Sequence, residues 1–292
     1  MKKRIITIFA PVICICIAFS GCSSVSTLLS GSDESIKFKV ENGEAIVTGV
    51  PNKSTVKKIV IPDEYEGVPV TKIADFAATN LEYVTEFVIG KNVKEIGNWA
   101  LENNQHIAQY TVDEVNEYFC SVDGVIYTKD MKTVVFFPPA KEGEYVVADG
   151  VESIRTKAFY KCGKITKVTL PDSIKFINEK AFFHCGSLED INFPNGFEQI
   201  GKDAFAYCTA LTKVTLPESI QEIQEYAFYN CTNLLEVNID ANESNLLLRE
   251  KWYPTNNGLD IAELKITWAK KNKIKEQSCD CSFLCLNCLI FF

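Results

Sequence analysis

Ile154-Arg155-Thr156-Lys157-Ala158-Phe159-Tyr160-Lys161-Cys162-Gly163-Lys164-Ile165-Thr166-Lys167-Val168-Thr169-Leu170-Pro171 is a phrase that the chain repeats. Its Ala-Phe pair returns at Ala181-Phe182, Ala204-Phe205 and Ala227-Phe228, and its cysteine at Cys185, Cys208 and Cys231, each time 23 residues further on. The register holds from Val151 to Ile239. A fixed period in the twenties marks a solenoid, because one such unit is too small to bury its own apolar side and must stack on its neighbours. Within the unit, Ile165 to Leu170 reads as a strand whose Val168 and Leu170 point inward with the Ala-Phe pair. Stacking then lines up the phenylalanines as a ladder.

Working outward, residues 73–110 align as two irregular repeats, one on Ile73, Ala77-Ala78 and Val84, the next on Ile96, Ala100-Leu101 and Ile107. Ala78 and Leu101 stand where the later units have Phe, and Leu81 and Asn104 where they have Cys. Between the two blocks lies an insertion, residues 111–150. Its Ser121 to Tyr127, Lys129-Asp130-Met131-Lys132 and Thr133 to Phe137 read as strand, turn and strand, closed by Pro138-Pro139. It is expected to lengthen the local sheet without breaking the stack. Residues 34–72 read as an N-terminal β cap, with a hairpin around Asn42-Gly43 and a further strand over 56–61. Residues 240–270 read as a C-terminal cap with a short helix and a last strand, and 271–292 as a cysteine-rich tail.

The N-terminus has a different character. Lys2, Lys3 and Arg4 precede an apolar run from Ile5 to Phe19, which reads as an export signal over residues 1–21, too short for a comfortable membrane span. It ends in Phe19-Ser20-Gly21-Cys22, which resembles a bacterial lipoprotein lipobox with Phe19 where Leu is usual. The resemblance implies lipid on Cys22 and hence a membrane anchor; an ordinary secretory signal is the alternative. Ser-rich residues 22–33 would be a flexible tether. A net charge of −8 over 292 residues, made more acidic by loss of the basic leader, argues against nucleic acid as a partner.

The phrase Ala-Phe-x-x-Cys-x-x-Leu-x-x-Val-x-Leu-Pro, the Ser121–Tyr127 hairpin and Pro138-Pro139 resemble the BspA-like leucine-rich repeat proteins, the treponemal-type class. That resemblance implies a right-handed leucine-rich-repeat solenoid, an elongated single domain with a parallel β-strand ladder and short helical or irregular convex turns. It also implies a bacterial surface location and attachment to host or neighbouring cells. One departure from the ordinary leucine-rich repeat is that Pro171 follows the strand and the usual asparagine ladder is absent.

Candidate binding residues fall on the outward strand positions. Lys167, Asp190, Lys213 and Glu236 alternate in sign from unit to unit, followed two residues on by Thr169, Asn192, Thr215 and Asn238. One reading is structural, with opposite charges on neighbouring strands setting register; the other is a flat polar strip that docks a protein or glycan on a cell surface or matrix. Tyr160, Phe183, Tyr207 and Tyr229 flank the cysteines and either form an exposed stripe or cover the seams between units. The cysteines themselves are either small buried hydrophobes or neighbours paired as disulfides. Chemistry is thinly supplied: the histidines are His106 and His184, with no phosphate loop, nucleophile elbow or His-containing metal motif, so no cofactor, metal or catalytic residue is expected. Cys279, Cys281, Cys285 and Cys288 do not have zinc-ribbon spacing. The expected role is recognition at a surface, the alternatives being an envelope assembly factor without a host ligand and a carbohydrate-handling enzyme.

Overall fold

A computed structural model of the chain describes residues 35–256, 259–260 and 264–270. The leader, the tether, Cys22 and the tail lie outside the described residues. Two tracks of parallel strands, each divided into separate sheets, follow the solenoid. One track comprises the repeat strands: Lys58–Val60, Glu86–Ile89 and Gln109–Val112; then Gly143–Val146, Ile165–Thr169 and Asp190–Ile191; then Lys213–Leu216, Glu236–Asn242 and Lys265–Lys270. The other runs from Glu44–Gly49, Val68–Ile73 and Glu95–Ile96 to Thr133–Phe136, Ser153–Ile154, Phe176–Ile177, Gln199–Ile200, Glu222–Ile223 and Leu247–Leu248. The return side of each regular coil is therefore a two-residue strand, set by the isoleucine that opens the phrase, rather than a helix. The described residues hold a single short 3-10 turn, Glu243–Asn245.

A third track ties the Ala-Phe turns together. Phe159 N–H donates to Ala181 C=O, Phe182 to Ala204 and Phe205 to Ala227, each at 2.8 Å. To aim alternate amides at the next coil, Lys157, Lys180, Asp203 and Tyr226 take the left-handed conformation, with φ of 63°, 54°, 53° and 58°. Such backbone is unfavourable for side-chain-bearing residues and persists here because the stack over-determines it.

Inside, Phe159, Phe182, Phe205 and Phe228 are fully buried and stacked, with centroids 4.6, 5.2 and 5.4 Å apart. Phe137 from the insertion extends the ladder, 4.5 Å from Phe159. Cys162, Cys185, Cys208 and Cys231 are buried and unpaired. Three of them also tie adjacent coils. Cys185 Sγ donates to Phe159 C=O at 3.0 Å, Cys208 to Phe182 C=O at 3.2 Å, and Cys231 to Phe205 C=O at 3.0 Å.

The asparagine rung is not wholly missing. Asn104, fully buried at the cysteine position, donates to Ala78 C=O at 2.7 Å and Leu101 C=O at 2.9 Å, and accepts from Leu81 N–H at 2.9 Å. At the N-terminal end, Glu44–Gly49 and Lys58–Val60 already belong to the two tracks, since Ala45, Val47, Ile59 and Ile61 supply inward side chains without the repeat phrase. The cover on that end is the antiparallel strand Lys37–Glu41.

The insertion corrects one expectation. Phe119–Val122 and Val125–Thr128 form the antiparallel hairpin, and Thr133–Phe136 pairs back on it. However, both strand tracks are interrupted there and the core divides in two. Because strand side chains alternate between faces, Val125, Tyr127 and Val134 join the C-terminal core while Ile126 and Val135 join the N-terminal one, and the bulge opposite Ile126 and Tyr127 leaves Phe136 on the N-terminal side as well. The hairpin is thus a septum. Polar contacts cross it: Arg155 donates to Ile96 C=O at 2.7 Å, Lys161 to Asn103 Oδ1 at 2.7 Å, and buried Lys157 lies 3.7 Å from Glu102 and against Trp99.

Candidate binding surface

The strand register carries the outward charges. Lys167 lies opposite Asp190 and Lys213 opposite Glu236, one rung apart in parallel sheets. Lys167 Nζ reaches Asp190 Oδ2 at 2.8 Å, and Lys213 Nζ reaches Glu236 Oε1 at 2.9 Å. The same register adds Glu144 beside Lys167, Lys265 beside Glu236, and Lys58 with Glu86 at 3.1 Å in the N-terminal block. Sequence reasoning missed these because the outer coils lack the phrase that aligned the four.

The strip is divided between Asp190 and Lys213, whose strands belong to different sheets. Asp190–Ile191 is only two residues long, and Asn192 takes over the next rung with its side chain. Its Oδ1 accepts from Leu170 N–H at 2.7 Å and its Nδ2 donates to Leu170 C=O at 3.0 Å. Asn238 Nδ2 donates to Glu236 Oε1 at 2.7 Å, and that bond, with Lys213 beside it, holds the Glu236 carboxyl below its ordinary value. The hydrogen bond to Asp190 raises Lys167. Thr169 is half-buried and Thr215 exposed beside these pairs. What the strip offers a ligand is therefore register and alternation of sign with little net charge.

On the turn side, Tyr160, Phe183, Tyr207 and Tyr229 are half-buried and in ring contact from coil to coil, at 5.3, 5.4 and 5.6 Å. Towards the C-terminal end they stop being seam cover and line a cavity of ≈480 Å³, with Tyr226, Lys251 and Thr255 added to its wall. Nothing in the repeat pattern pointed to these last three, because Lys251 and Thr255 lie beyond the repeats and Tyr226 takes a position held by Lys157, Lys180 and Asp203 elsewhere. His184 is exposed and stacks on Tyr207 at 4.4 Å. Desolvation, reinforced by Lys161, keeps His184 below its ordinary value and so neutral at pH 7. Burial pushes Cys231 up to about 12 and the other three ladder thiols up as well, which makes them unreactive. Among the described residues no cluster of three or more His, Cys, Asp or Glu could hold a metal ion.

A family model, the BspA type leucine-rich repeat region, matches in six copies over residues 49–121 and 142–249. Among solved structures, the pneumococcal vaccine antigen PcpA aligns at 22% identity with a TM-score of 0.61, covering 74% of this chain and 57% of that one. A leucine-rich cell surface protein from Faecalibacterium prausnitzii aligns at 22% identity with a TM-score of 0.53, covering 74% of this chain and 64% of the other. The chain thus spans less than two thirds of either relative, and the likeness is one of fold. No curated protein matches it.

Proposed function

Because the chain belongs to the BspA-type leucine-rich repeat proteins, matched over most of residues 49–249, we propose that it is an exported surface protein that recognises a protein or glycan on neighbouring cells or matrix. The observation that carries this reading is the strand strip, where Lys167, Asp190, Lys213 and Glu236 are held in fixed register and remain open to solvent. A strip of paired charges favours a partner whose own charges alternate, and disfavours one of a single sign. Lipid on Cys22 would hold many copies on one membrane, so that individually modest contacts sum to firm attachment.

The test is binding of the purified chain to matrix proteins, glycans and whole bacterial cells. Saturable binding that disappears when Lys167, Asp190, Lys213 and Glu236 are all changed to Ser, with unfolding unchanged, is the expected result. Absence of binding to every surface would move the role to assembly within the envelope. Substitution Cys22→Ser should release the protein from the membrane fraction.

A further inference from the structure

We infer that the cavity at the C-terminal turns is a second binding site, separate from the strand strip, and that its ligand is a carboxylated saccharide. Its walls are aromatic and set at right angles: Tyr207 and Tyr229 meet at 77° with centroids 5.6 Å apart, and Tyr226 and Tyr229 at 90° and 5.7 Å. His184, stacked flat on Tyr207, holds that ring in place. The cavity volume of ≈480 Å³ is within the range of small-ligand clefts. Rings at right angles offer one apolar face beside a ring edge, a corner that suits the C–H face of a single pyranose.

Two polar groups in the wall have no internal duty among the described residues. Thr255, only 4% exposed, has its Oγ1 buried without a hydrogen-bond partner. At that exposure the Oγ1 does not itself meet a ligand, and recognition by the wall rests on Lys251 and the rings. Lys251, exposed and 6.0 Å from the Tyr226 ring, has no ion-pair partner among the described residues. The other charges in the wall are already engaged, Lys202 with Glu225 at 3.2 Å and Asp203 with Lys180 at 3.4 Å. The one uncommitted charge among the described wall residues is therefore positive, in a chain of net charge −8. That selects an anion and counts against a quaternary ammonium, which perpendicular aromatic rings would otherwise suit. A carboxylate carries one charge, as Lys251 does, whereas a phosphate monoester carries nearly two at pH 7.

The experiment is titration of the full chain with trigalacturonic acid and with sialyllactose, against galactotriose and lactose as neutral counterparts and choline as the cationic probe. The two acids distinguish a uronate from a sialate source. At least one acid should bind about tenfold more tightly than its neutral counterpart. Lys251→Ser, at an exposed position, should abolish that preference without affecting folding; Tyr229→Ala should weaken acid and neutral sugar alike, and Tyr229→Phe should retain binding. Equal affinity for acid and neutral sugar, binding unaffected by Lys251→Ser, preference for choline, or no binding of either acid would overturn the inference. The strand-strip variant with four serines should keep this binding, so the two sites fail independently.

Discussion

On either side of the septum the same backbone problem is solved with different side chains. In the C-terminal block the thiols of Cys185, Cys208 and Cys231 each donate to the carbonyl 26 residues upstream, at 3.0–3.2 Å. In the N-terminal block Asn104 makes that bond over the same separation, to Ala78, and adds two more. The cysteine block packs five stacked rings, Phe137 to Phe228, whereas the asparagine block has Ala78 and Leu101 where those rings would stand. Where aromatic stacking is strong, one weak S–H donor per coil suffices to close the turn. Where it is absent, a full carboxamide rung takes its place.

The largest blow to this contrast comes from Phe205→Ala, whose ring lies between Phe182 and Phe228. A loss of about 3–5 kcal/mol in urea unfolding is expected, because neighbouring coils cannot close the gap; a loss under ~1 kcal/mol would show that stacking does not hold the block. Next, Asn104→Ala should cost about 2–4 kcal/mol, since it leaves Leu81 N–H and two carbonyls unpaired. Asn104→Cys should recover part of that through the Ala78 bond, and equal losses for both variants would break the proposed equivalence.

The thiols sharpen the contrast through pH. Burial raises their folded values above the ordinary 9.0, to about 12 for Cys231. Above pH 9 the unfolded chain loses protons that the folded chain keeps, so stability is full below pH 9 and falls as pH rises towards 12. The slope is about 1.4 kcal/mol per pH unit for each ladder thiol. Unfolding midpoints from pH 8 to 11 should fall in the native chain and fall less in Cys231→Ala. The smallest effect is expected from Lys213→Ser on the strand strip. Exposed pairs contribute little, so the midpoint should hardly move, and the visible change should be a weaker response to added salt.

Periodicity made the regular block legible, because Ala-Phe and Cys recur at one spacing and each carries one job per coil. It also put Lys167, Asp190, Lys213 and Glu236 in one column, but could not show that Asn192 is occupied by Leu170, since that depends on a strand stopping after Ile191. The septum was illegible for a related reason. Val134 and Val135 read as one apolar run, and only the three-dimensional alternation reveals that they face different cores. Asn116, fully buried and bonded to Gly90 and Val93 carbonyls at 2.9 Å, also passed as a loop residue in a segment without a repeat to compare it with. The cavity at Tyr226, Lys251 and Thr255 escaped because it joins the last repeat to the cap.

The septum also makes the molecule a ruler of adjustable length. Beyond the first coil, whose Arg155, Lys157 and Lys161 reach across the hairpin, each coil touches only its neighbours, so a 23-residue unit could be spliced in or out between Ile177 and Ile239 without disturbing the far side. The reach of the distal tip would then change in increments of one strand spacing, ~4.8 Å, while the end nearest the N-terminus kept its shape.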